Sequence, residues 1–155
     1  MQQLWKRDRA EYCGIGIRGV AIGIDSIVWI ALLFVAIFVT GASTGQLETG
    51  AQGLNTNLSG TPASIALGLW FVLALGYHTV SEWRFGKTIG KALENIRVTS
   101  IDGSPLTLGA SLIRNVLRLV DWLPGLYLVG IVGTVVSERK QRLGDRLAET
   151  TVVRS

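Results

Sequence analysis

Cationic side chains are missing from the middle of this 155-residue chain: all fifteen Lys and Arg lie outside residues 19–83. The net charge of +4 is therefore that of basic flanks around apolar segments, not of a basic surface that would meet nucleic acid. Cysteine is almost absent. A single Cys13 excludes an intrachain disulfide and a thiolate metal cluster. Histidine is reduced to His78, and no Ser/His/Asp order, catalytic carboxylate pair or cysteine nucleophile stands out, so no enzyme, cofactor or metal centre is expected. What fills the chain instead is apolar: 48% hydrophobic residues against 17% charged, too apolar for an ordinary small soluble domain.

The expected fold is an all-α membrane protein forming one domain over 1–155. Residues 1–16 are polar and aromatic, with Trp5 and Tyr12 suited to headgroup level. The basic start (Lys6, Arg7, Arg9) resembles a signal peptide, but the run Gly19–Val39 exceeds an h-region and is long enough to span a bilayer. It is read as an uncleaved first span over 17–40. Residues 41–62, rich in Gly, Ser, Thr and Asn, predict a flexible external loop carrying one N-x-S sequon at Asn57. Pro62 can open a second span over 63–83 that ends at Trp83.

Residues 84–106 carry Arg84, Lys87, Lys91 and Arg97, which assigns them to the cytoplasm. Ile96–Thr99 alternates like a strand and Asp102-Gly103 marks a tight turn, so a small β-hairpin is expected there. The third hydrophobic region, 107–137, is broken at Asp121-Trp122-Leu123-Pro124-Gly125. It predicts an amphipathic or re-entrant helix over about 107–120 and a further membrane helix over about 125–137, with a conventional third span as the alternative. The basic tail, 138–155, belongs with the cytoplasmic flanks, and Thr150–Val153 can pair with Ile96–Thr99 as a strand. Both termini are then cytoplasmic and the host is the plasma membrane.

Charges inside apolar segments carry the chemistry. Arg18 and Asp25 lie two helical turns apart on nearly one face, and Asp25 falls at hydrocarbon depth. A charge there costs about 2.5–3.5 kcal/mol or more, so it faces a partner or a wet cavity. Arg114, Arg118 and Asp121 share one polar face at i, i+4, i+7. Asp25 is expected to meet that region. The network is either a structural lock or a titratable site on an ion path. His78 and Glu82, at i, i+4, form a candidate proton relay or an interfacial hydrogen bond. Gly86-Lys87-Thr88 fails the phosphate-loop pattern because position 81 is Ser81. Lys87 and Lys91, on one expected helical face, together with Arg139, Lys140 and Arg142, suit anionic lipid headgroups.

Taken together, these residues resemble the RDD family of small membrane proteins, from about residue 14 to 153. Its opening R-x-x-A-x-x-x-D matches Arg18, Ala21 and Asp25. Further blocks are Gly86-Lys87-Thr88-Ile89-Gly90-Lys91, then Ile96-Arg97-Val98 with Asp102 to Thr107, then Arg114-Asn115, Arg118, Asp121 and Leu123-Pro124. The last, Gln141 to Thr150, supplies Asp145, with Glu149 where a glycine is common. The resemblance implies signature residues Arg18, Asp25 and Asp145, and with Asp145 so supplied, Arg18 at the inner boundary is expected to meet it from the tail. It also implies either sodium/proton antiport, here with Asp25 as the exchanging carboxylate, or a role in recruiting or assembling other membrane proteins. The expected partners are the lipid bilayer and a second copy or other membrane proteins. A chain this short, without internal repeats, is small for alternating access.

Overall fold

The computed structural model describes residues 15–51, 53–121, 141 and 143–154. The interfacial segment up to residue 14, the expected helix over 125–137, the Asp121 side chain, and Arg139, Lys140 and Arg142 lie outside that description. The described residues are mostly helical, with two small antiparallel strand pairs, in keeping with a helical membrane protein that carries a small β element.

Among the described residues, two helices are long and apolar enough to cross a membrane. Helix α1 runs over Ile15–Ser43 and helix α2 over Thr61–Phe85. Their candidate spans, Gly16–Ser43 and Thr61–Phe85, hold 28 and 25 residues. At 1.5 Å per residue these reach roughly 42 and 37 Å, against about 30 Å of hydrocarbon. Only 11% and 22% of their most apolar stretches are buried. A soluble core helix would hide such residues; here Ile27, Phe34 and Val72 stand open at 70%, 66% and 68% exposure.

The chain divides into two compact units. In the first, Ser26–Gly76, the Trp70 indole Nε1 donates to the Trp29 carbonyl at 2.9 Å, and the two rings meet edge-on, their centroids 6.1 Å apart. Strands β1 (Leu47–Gly50) and β2 (Gly53–Thr56) pair antiparallel, from Leu47 opposite Thr56 to Gly50 opposite Gly53. The expected flexible loop is therefore a hairpin. Its residues are almost all exposed, so no in–out alternation marks it in the sequence. Gly41 lets it approach α1, since a Cβ there would lie 3.0 Å from the Thr56 hydroxyl. Asn57, just past β2, is exposed.

The second unit comprises residues 1–25 and 77–155. Helix α2 ends where Gly86, at φ +70°, turns the chain back, as a C-terminal glycine does. The one-turn helix α3 (Ile89–Leu93) follows, capped by Thr88, then strand β3 (Ile96–Ser100). The expected hairpin within 84–106 does not form. Strand β3 pairs instead with β4 (Thr150–Arg154), antiparallel, Ile96 opposite Arg154 and Ser100 opposite Thr150. After the Asp102-Gly103 turn, Pro105 lacks the N–H a ladder needs, and residues 104–107 carry no strand. Ile96, Val98, Leu106 and Val152 form the core with Ala21 of α1.

Helix α4 (Leu108–Asp121) is amphipathic in an inverted sense. Ser111, Arg114 and Asn115 are buried, whereas Leu108, Leu112, Ile113 and Val116 are exposed. A helix on a water-facing domain shows the opposite pattern. The short helix α5 (Leu143–Leu147) packs on α4 through Gly144, where a Cβ would sit 3.1 Å from the Arg114 carbonyl oxygen.

Candidate functional site

The site lies wholly in the second unit and consists of two buried polar clusters on the first turns of α1, the end of α2, and helices α3 to α5. Ala21 stands between Arg18 and Asp25 on one face of α1. Its small side chain, with Gly90 opposite, lets the backbones of α1 and α3 touch: a Cβ on Gly90 would overlap the Ala21 carbonyl and lie 3.0 Å from the Asp25 carboxyl carbon.

That closeness delivers donors to Asp25. Thr88 Oγ1 donates to Oδ2 at 2.6 Å, while the Gly90 backbone N–H and the Tyr77 hydroxyl each donate to Oδ1 at 2.9 Å. Tyr77 in turn accepts from the Ile89 backbone N–H at 3.0 Å. Asp25, 2% exposed, thus meets neutral donors rather than the Arg114 or Arg118 expected from charge matching. A charge search cannot find a backbone amide; the G-K-T-I-G-K block was the sequence's only trace of it.

The second cluster centres on Arg114. Its Nε donates to Glu82 Oε2 at 3.0 Å, and its Nη1 donates to Asp145 Oδ1 at 2.9 Å and Thr150 Oγ1 at 3.1 Å. Glu82 is completely buried and also accepts from Lys91 Nζ and from Asn115 Nδ2, the latter at 3.1 Å. Asp145 Oδ2 accepts from Arg18 Nη1 at 2.7 Å. Arg18, Asp145, Arg114, Glu82 and Lys91 therefore form one chain of ion pairs from the first membrane helix to the tail. Gln141 closes it by donating to the Thr150 carbonyl at 2.7 Å.

Several expected roles change here. Lys91 is no lipid contact: it is 3% exposed and paired with Glu82. Lys87 precedes α3 instead of sharing its face, and is half-buried. Burial draws the Lys91 ammonium down to about 7, against the pull of Glu82 and with the push of Arg114 and Arg118. His78 Nδ1 lies 3.0 Å from Arg118 Nη1. A guanidinium only donates, so that ring nitrogen accepts and carries no proton. Tyr77, Thr88, Gly90, Asn115 and Thr150 are the site residues that charge reasoning missed. Among the described residues, no three His, Cys, Asp or Glu side chains gather as metal ligands would.

The RDD family model matches residues 12–149, most of the chain. The chain belongs to the RDD family. No curated protein and no solved structure matches it. Family and apolar helices together support a membrane protein. The three residues the RDD resemblance singles out divide between the clusters, Arg18 and Asp145 in one and Asp25 in the other. Glu149, at the position where RDD chains commonly carry glycine, has φ +50°, a conformation that glycine adopts without strain.

Proposed function

We propose that this chain is a membrane-embedded assembly module of the plasma membrane in which the buried charges hold the fold and catalyse no reaction. The observation that carries this is the Asp25 carboxylate, whose two oxygens already accept three hydrogen bonds from Thr88, Gly90 and Tyr77. A carboxylate that exchanges a proton for sodium needs to lose and regain ligands; this one sits among donors fixed by a backbone contact.

The pairing of β3 with β4 supports a topology with the loop after α2 and the tail on one side. Their Lys and Arg make that side cytoplasmic by the positive-inside rule, with the N-terminus alongside. Helix α4 then lies along the inner interface, its Leu108, Leu112, Ile113 and Val116 face in lipid and its Arg114 face on the protein. The partner is a second copy or another membrane protein met through the exposed faces of α1 and α2, with anionic lipid at the basic flanks.

The test is proton movement in liposomes that enclose a pH dye and carry an imposed sodium gradient. Wild type is expected to give the same trace as empty liposomes, an added sodium/proton ionophore serving as the positive control. Sodium-dependent proton flux that disappears in Asp25→Asn would overturn the proposal in favour of antiport.

A further inference from the structure

A small cavity of about 20 Å³ lies inside the second cluster. Arg18, Lys91, Arg114, Arg118, Asn115 and Asp145 supply its polar lining, four cations against one carboxylate. Glu82, through Lys91 and Arg114, and Asp25, which acts on Arg118, offset more of that charge, so four cations face three carboxylates around the cavity. Arg18 is 4% exposed, and its Nη1 is taken by Asp145. Its Nε and Nη2 are buried and make no hydrogen bond. Those two atoms form one edge of the planar guanidinium, the fork that suits a single anion. A buried charged donor left without a hydrogen bond is strongly unfavourable, so the cavity has an energetic use for an occupant.

The geometry points to a binding site for one small monatomic anion of the halide class, held by the Nε–Nη2 edge of Arg18 and by Arg118, Arg114 and Lys91. The space matches. Roughly 10–15 Å³ admits one water-sized body, and an intact phosphate is far larger. A water would satisfy the Arg18 hydrogen bonds but leave the excess charge; a halide answers both. The site goes beyond the assembly proposal and does not depend on it, because sodium-dependent flux and halide binding are read separately.

Thermal unfolding of the detergent-solubilised protein tests it, with sodium gluconate replaced stepwise by chloride, bromide or phosphate at constant pH and ionic strength. Chloride and bromide are expected to raise Tm with the logarithm of their concentration above Kd, by roughly 3–6 °C at a tenfold excess over Kd, and phosphate not at all. Arg118→Gln, which loses a cation but none of the Arg18, Arg114 or Lys91 contacts, should weaken the halide effect at least tenfold. Wild type alone gives a second readout: its addition should broaden the chloride-35 resonance, and bromide should reverse the broadening. A Tm identical in all salts, as a bound water would give, overturns the proposal, as does an unbroadened resonance. A halide effect kept in full by Arg118→Gln overturns the assignment to this cavity.

Discussion

Arg18 and Asp145 stand 127 residues apart in the chain, and a 2.7 Å ion pair joins them with both side chains almost wholly buried. The pair fastens the first turns of α1 to the one-turn helix just before β4. Arg114 shares the same carboxylate and passes the connection to Glu82 at the end of α2. Buried ion pairs of this kind add little net stability over apolar packing, but removing one partner costs about 3–5 kcal/mol because a charge is left behind. Their consequence here is positional: the four helices that carry Arg18, Asp145, Arg114 and Glu82 are held in one register.

The backbone contact between α1 and α3 makes Gly90 intolerant of a side chain. Gly90→Ala should destabilise by about 1–3 kcal/mol through overpacking against the Ala21 carbonyl. Gly109→Ala, on an exposed turn of α4 with open space around it, should be stabilising by roughly 0.5–1 kcal/mol. Thermal unfolding in detergent compares them; equal effects would remove the contact from the account.

Thr88 both bonds Asp25 and caps α3. Thr88→Val should cost about 1–3 kcal/mol, the loss expected when a buried ionised acceptor loses a donor, and Thr88→Ser should keep most of the stability. Unfolding midpoints decide the point, and a Val variant as stable as wild type would contradict it.

Glu149 has a positive φ and an exposed side chain. Glu149→Gly should stabilise by about 1 kcal/mol by relieving the left-handed conformation, whereas Glu149→Ala should gain nothing. The same melts read both.

Lys91 sets a pH dependence. It titrates at about 7 when folded, because of burial, and near 10.5 unfolded. Between those values the unfolded chain binds more protons, so stability rises with pH across that window. Below the folded value Lys91 is charged in both states and contributes no slope. Tm followed from about pH 6 to 9 should therefore stay level and then climb, and Lys91→Met should abolish the climb.

How much was legible in the sequence follows from which forces leave a pattern. Apolar runs bounded by Lys and Arg marked α1 and α2 because burial in lipid needs length and continuity. The periodic Arg114 and Arg118 marked the polar face of α4. The β3–β4 pairing was readable from the alternating Ile96–Thr99 and the β-branched Thr150–Val153, and Asp145 entered as a partner for Arg18 through the family resemblance. Neutral contacts left less trace. The donors to Asp25 are a hydroxyl, a phenol and a backbone N–H, and the last depends on Gly90 having no side chain. The β1–β2 hairpin was hidden because its residues face solvent on both sides. Lys91 has the sequence setting of a surface cation, and its buried partner, Glu82, lies nine residues earlier on another helix.

The most direct test of the charge network is a double-mutant cycle between its two most distant members. Unfolding free energies are measured for wild type, Arg18→Gln, Asp145→Asn and the double variant, all in the same detergent and salt. The predicted coupling is about 1–3 kcal/mol, the double variant losing less than the sum of the single ones. Effects that add to within about 0.5 kcal/mol would contradict the claim that this pair ties the tail to the first membrane helix.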